Sequence, residues 1–82
     1  MPHIIVKLFP GKSEAQKQRL TQAITQAVTQ NLDYGDAAVS VAFEEIAASD
    51  WLEKVFKPDI EAQPHPLYKM PGYSAEDLKG GV

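Results

Sequence analysis

The chain contains no cysteine, which removes disulfide staples, thiolate metal sites and cysteine nucleophiles from consideration. It has one arginine, Arg19, and its eight basic residues stand against eleven acidic ones for a net charge of -3. A phosphate-backbone binder needs a dense basic face, so nucleic acid is not an expected partner. The two histidines, His3 and His65, lie far apart in sequence. They do not suggest a multi-histidine metal site, and neither a metal nor a cofactor is expected. No apolar run is long enough to span a bilayer. The start Met1-Pro2-His3 lacks the basic and apolar regions of a signal peptide. A soluble, cytoplasmic protein with no membrane partner is the expectation.

The 82 residues are 44% hydrophobic, too apolar for a disordered chain and enough for one domain. The expected domain covers 1–82, with a flexible tail from about residue 75. Residues 3–9, His-Ile-Ile-Val-Lys-Leu-Phe, predict a strand. Ile4, Val6 and Leu8 share one face, Ile5 and Phe9 the other, so both faces call for a cover. Pro10-Gly11-Lys12 predicts a loop. Ser13 and Gln16 then form a capping box, with Glu14 suited to the positive end of the helix dipole. Leu20, Ala23, Ile24, Ala27, Val28 and Leu32 follow at helical spacing, which predicts a helix over about 14–31.

Asp33-Tyr34-Gly35-Asp36 predicts a turn, and residues 38–46 a second strand with Val39, Val41 and Phe43 on one face. Strand, helix and strand make one parallel unit with a right-handed crossover. A short helix at 51–56 is capped by Ser49-Asp50 and stopped at Lys57-Pro58. Four prolines between 58 and 73 predict irregular chain there. The expected fold class is α/β (α+β): a single β-α-β unit with a short second helix and an irregular C-terminal segment. Two strands and one long helix cannot close a core. A homo-oligomer built from a two-fold dimer, with a four-stranded sheet and two helices on one face, is expected to complete it.

Several residue patterns carry no chemistry. Gly11-Lys12-Ser13 resembles the end of a phosphate loop, but Val6 stands where the first glycine of that motif is required. Glu44 and Glu45 point to opposite faces of a strand and make a poor acid–base pair. His3 lies among apolar strand residues and His65 between prolines. Trp51 on its own reads as an anchor for the short helix. Lys12 is better placed, at the carboxyl end of a parallel strand beside a helix N-terminus, where ligands and anions are favoured. Pro2 is the most informative residue. Removal of Met1 exposes a secondary amine at the start of a strand, beside Ile4 and Phe9. A free α-amino group already titrates close to neutrality, and desolvation lowers its pKa further, towards the range where general-base catalysis works best. A proline that merely begins a strand is equally compatible with the pattern, since its missing N–H does no harm there.

Met-Pro-His-Ile, a strand, Gly11-Lys12-Ser13, the capped amphipathic helix, Leu32-Asp33 and strand 39–46, taken in this order, resemble the 4-oxalocrotonate tautomerase family over about residues 2–51. Trp51 and Lys69-Met70-Pro71-Gly72-Tyr73-Ser74 extend the resemblance to about residue 74, towards a dimeric bacterial branch. The resemblance implies a β-α-β fold assembled as dimers or hexamers, with a dimer favoured here. It implies a cofactor-independent keto–enol isomerase in which Pro2 is general base and then general acid on a 2-oxo acid. Lys12 matches a family arginine that binds a substrate carboxylate; it keeps the charge and loses the bidentate fork. Ser40 matches a second family arginine and has no charge. One cation in place of two favours a monocarboxylate such as an arylpyruvate enol over a dicarboxylate. Trp51 matches a family aromatic that walls the pocket, with Phe43 a further contributor. Two alternatives stand beside this reading. One is a non-catalytic oligomeric domain that binds a small anion or a partner. The other is a hydratase or dehalogenase using the same proline.

Overall fold

A computed structural model of the protein describes residues 1–79. The chain divides into two compact units, Met1–Glu45 and a second beginning at Ile46.

In the first unit, β1 (His3–Leu8) runs parallel to β2 (Ser40–Glu45). The register pairs His3 with Ser40, Ile4 with Val41, Val6 with Phe43 and Leu8 with Glu45. Neighbours across a ladder share a face, so Ile4, Val6, Leu8, Val41, Phe43 and Glu45 form one side of the sheet and His3, Ile5, Ser40, Ala42 and Glu44 the other. The helix α1 (Glu14–Leu32) connects the strands. The capping box is present: Gln16 N donates to Ser13 Oγ at 3.1 Å, and Ser13 N to Gln16 Oε1 at 2.9 Å. Asp33 ends the helix in the left-handed region at φ 58°, a conformation that a short polar side chain tolerates.

Two expectations shift. The second strand starts at Ser40 rather than 38, because Asp36–Ala38 close a 3-10 turn in which Val39 N donates to the Asp36 carbonyl at 3.2 Å. The inward stripe of α1 is also narrower than its apolar pattern. Leu20 and Leu32 keep 41% and 56% of their surface exposed. Thr21 and Thr25 are half-buried instead, their hydroxyls returned to the carbonyls of Lys17 and Thr21 at 2.8 Å each. A threonine that satisfies its hydroxyl on its own helix can face inward without an orphaned polar group. No residue of β1, α1 or β2 is fully buried, and Ile5, in mid-strand, stays 48% exposed.

The second unit opens with a 3-10 turn, Ala48–Asp50, which passes through Trp51 into a π-helix, Leu52–Glu61. Here the expectation of a stop at Pro58 fails: the helix runs through the proline, and Ala62 N closes on the Lys57 carbonyl at 2.8 Å. In an α-helix the proline ring collides with the carbonyl four residues earlier; the wider i→i+5 turn relieves that collision at Lys54. The irregular segment therefore begins after Glu61. A last short helix, α2 (Ala75–Lys79), is capped where Asp77 accepts from Ser74 N at 2.8 Å. The expected frayed tail covers α2 and residues 80–82, which lie outside the described residues.

Val55 and Phe56 are the buried residues of this unit. The Phe56 and Tyr73 rings meet at 5.8 Å and 45°, a tilted geometry that aromatic quadrupoles favour. Phe56→Ala is expected to cost about 3–5 kcal/mol, seen as a lower midpoint in urea denaturation followed by far-UV circular dichroism. An unchanged midpoint would show that this core contributes little.

Candidate functional site

The residues singled out in the sequence fall into three places. The first is the amino end of the sheet. Pro2 is half-buried just ahead of β1, and its carbonyl accepts a hydrogen bond from Ser40 N at 3.2 Å. Beside it, His3 Nδ1 and Ser40 Oγ share a hydrogen bond of 2.6 Å. The parallel register produces this arrangement, since it sets His3 and Ser40 side by side. Pro2 is thus tied to β2 through its carbonyl while its nitrogen takes no part in the ladder.

The second place is the carboxyl end of the sheet. Gly11, at φ +119°, lies in a region closed to most side chains and turns the chain from β1 towards α1. Lys12 follows directly, one residue ahead of the Ser13 cap. It lines a groove of about 230 Å³ with Leu8, Gln16, Lys17, Leu20 and Phe43. Leu8, Leu20 and Phe43 supply an apolar floor between sheet and helix. Lys12 has no ion-pair partner among the described residues, whereas Lys17 Nζ lies 2.8 Å from Glu45 Oε2. That hydrogen bond holds the Lys17 pKa above its ordinary value, with the charges of Glu45 and then Glu14 adding to it against a desolvation that lowers it. Lys17 therefore stays an ammonium throughout the neutral range, already neutralised by its neighbour.

Trp51 is the third place, in the second unit. Its Nε1 donates to Tyr73 Oη at 2.9 Å, and Tyr73 in turn packs on Phe56. The indole fastens the irregular segment to the start of the π-helix.

Pro2 and Ser40 are therefore together, as are Lys12 and Phe43, but the two pairs stand at opposite ends of β1. Six residues at about 3.3 Å each separate them by roughly 17–20 Å. Sequence reasoning missed Lys17 and Glu45 as a pair. Its signal was partly present, for Lys17, Thr21, Ile24 and Val28 fall at helical spacing on one stripe. Tyr73 as the acceptor for Trp51 carried no local signal. No group of three or more His, Asp or Glu side chains is gathered to hold a metal ion among the described residues. No helix among them is long and apolar enough to cross a membrane.

Comparison with known proteins places this geometry in a family. The family model described as "Tautomerase enzyme" matches residues 2–55. A "Probable tautomerase" of Xylella fastidiosa is 42% identical over 73 residues, covering 89% of each chain. Tautomerase PptA of Cronobacter sakazakii is 39% identical over 74 residues, covering 89% of this chain and 97% of that one. Among solved structures, TomN, a 4-oxalocrotonate tautomerase homologue of the tomaymycin biosynthetic pathway, superposes with a TM-score of 0.59 at 34% identity. It covers 61% of this chain and 77% of its own. A 4-oxalocrotonate tautomerase isozyme from Methylibium petroleiphilum covers 99% of this chain at TM-score 0.58 and 21% identity, a likeness of fold. Family membership supports a tautomerase activity in general, that of an isomerase. A β-α-β unit, a match that begins at residue 2 and relatives that share nearly the whole length together show that the chain belongs to the 4-oxalocrotonate tautomerase family, with PptA among its similar relatives.

Proposed function

We propose that the protein is a cofactor-independent keto–enol tautomerase of a 2-oxo acid, an arylpyruvate being the type of substrate. Pro2 acts as base and then acid once Met1 has been removed. The observation that carries this reading is the setting of Pro2, half-buried at the head of β1 and held through its carbonyl by Ser40 N. The free amine takes the proton of the enol hydroxyl as the C=C electrons move to C3. The same nitrogen then returns a proton to C3, leaving the ketone and a neutral amine. Each transfer is general acid–base work by a group whose pKa lies near the operating pH. Lys12 pairs with the substrate carboxylate, and the floor of Leu8, Leu20 and Phe43 takes the aryl group. Ser40, bonded to His3, holds the proline end in register.

A site that uses both Pro2 and Lys12 needs two copies of the chain, because one copy holds them at opposite ends of a strand. Among the described residues β1 has β2 as its one strand partner, so its outer edge is open to a ladder. Antiparallel pairing of β1 with β1 of a second copy, about a two-fold axis, sets Pro2 of each against the Lys12 end of the other. The exposed Ile5, Leu20 and Leu32 fit a homodimer better than a free monomer. The test is ketonisation of phenylenolpyruvate by protein whose mass shows Pro2 at the N-terminus. Turnover well above the buffer rate is expected, and a rate equal to buffer would remove the arylpyruvate assignment.

A further inference from the structure

We propose that Glu45 is a specificity-determining residue: by pairing with Lys17 it leaves Lys12 as the single free cation of the groove, which then selects monocarboxylates with an apolar tail over dicarboxylates. The proposal rests on the reading of this groove as the substrate site and names the class of acid it prefers.

The groove has two ammonium groups in its lining and only one is available. Lys17 contributes its side chain to the wall, but its Nζ is held at Glu45 Oε2, at 2.8 Å. The pair is fixed by two elements. The register places Glu45 at the last position of β2, opposite Leu8 and on the helix-facing side, while Lys17 lies one turn into α1, where its side chain is 19% exposed. A second carboxylate entering the groove would meet an ammonium already neutralised, and would lie close to the carboxylate that neutralises it. It would lose its hydration for little return. A single carboxylate meets Lys12, which carries no such partner among the described residues, and an attached ring or alkyl chain meets Leu8, Leu20 and Phe43. Glu14 is a weaker electrostatic neighbour of Lys17 than Glu45, so removal of Glu45 frees most of the lysine's charge.

The experiment compares two acids by calorimetry on the 82-residue protein: hydrocinnamate and its para-carboxy derivative, which differ by one carboxylate. Wild-type protein is expected to bind the monoacid more tightly. In Glu45→Gln the preference should move towards the diacid by about three- to tenfold, the worth of one added charge-assisted contact at a half-exposed site. The double variant Glu45→Gln/Lys17→Met should return the ratio to its wild-type value. Glu44→Gln, which removes the same charge on the opposite face of the sheet, should leave the ratio nearly unchanged. The proposal is overturned by an unshifted ratio in Glu45→Gln, by a shift that persists without Lys17, by an equal shift in Glu44→Gln, or by failure of the monoacid to bind. Binding is read without turnover, so an inert enzyme that still shows the ratio change would refute the tautomerase reading alone. An active enzyme with an unshifted ratio would refute the role of Glu45 alone.

Discussion

Pro2→Ala is expected to lower kcat/KM for phenylenolpyruvate about a hundredfold, with most of the loss in kcat. Alanine at this position still presents an α-amine after Met1 is removed, so the base is not deleted. What disappears is the ring that fixes φ and confines the nitrogen. The carbonyl stays tied to Ser40 N at 3.2 Å, because that bond belongs to the backbone and does not depend on the side chain. The amine beyond it gains rotational freedom, and small misplacements of a proton-transfer group are expensive in rate. The effect therefore combines lost placement with the change from a secondary to a primary amine. A hundredfold fall in kcat with a similar KM identifies Pro2 as the group that moves the proton. A fall in KM-dependent terms alone would make it a binding residue, and full activity would take it out of the reaction.

Mixing two crippled proteins should restore activity, which is the second large effect. One partner carries extra residues ahead of Met1, so that its Pro2 nitrogen is a tertiary amide with no basic lone pair. The other is Lys12→Ala with a free Pro2. Each homodimer lacks one essential group in both of its sites. In a mixed dimer one site combines the free Pro2 of the second protein with the intact Lys12 of the first. Random reassortment makes half of the dimers mixed, with one good site of two. Unfolding and refolding the mixture should therefore recover about a quarter of wild-type activity. Complementation is expected because Pro2 and Lys12 are separated along β1. If the mixture stays as inactive as its parts, Pro2 of one copy and Lys12 of the other do not form a common site.

Much of the first unit was legible in the sequence because its signals are local. Ile4-Ile5-Val6 marks a strand, Ser13 with Gln16 marks a helix start, and both appear where expected. The start of β2 was misjudged because Asp36-Ala37-Ala38 is compatible with a strand or a 3-10 turn. The turn wins where Ala38 N bonds the Gly35 carbonyl at 3.0 Å. Pro58 misled for a different reason. Rules for proline assume α geometry, and the chain adopts the wider π turn, which has room for the ring.

The candidate site was half legible. Pro2 and Lys12 were visible as chemistry, since each sits at a strand end. Their separation became visible only with the register, and under the proposed function a site that uses both needs two copies. The Lys17–Glu45 pair spans 28 residues. Such a pair is set by which residue of β2 lies under which turn of α1, information that no local spacing contains. Trp51 illustrates the same limit. Its aromatic character was evident, but the bond to Tyr73 Oη depends on how the irregular segment returns to the π-helix.

Ketonisation of phenylenolpyruvate across pH decides whether a free proline amine is the base. Two mass-verified forms of the same chain are compared, one beginning at Pro2 and one retaining Met1. Activity is expected only in the Pro2 form, rising with pH as its amine loses its proton, with a rate near buffer for the Met1 form at every pH. Equal activity in the two forms would contradict it.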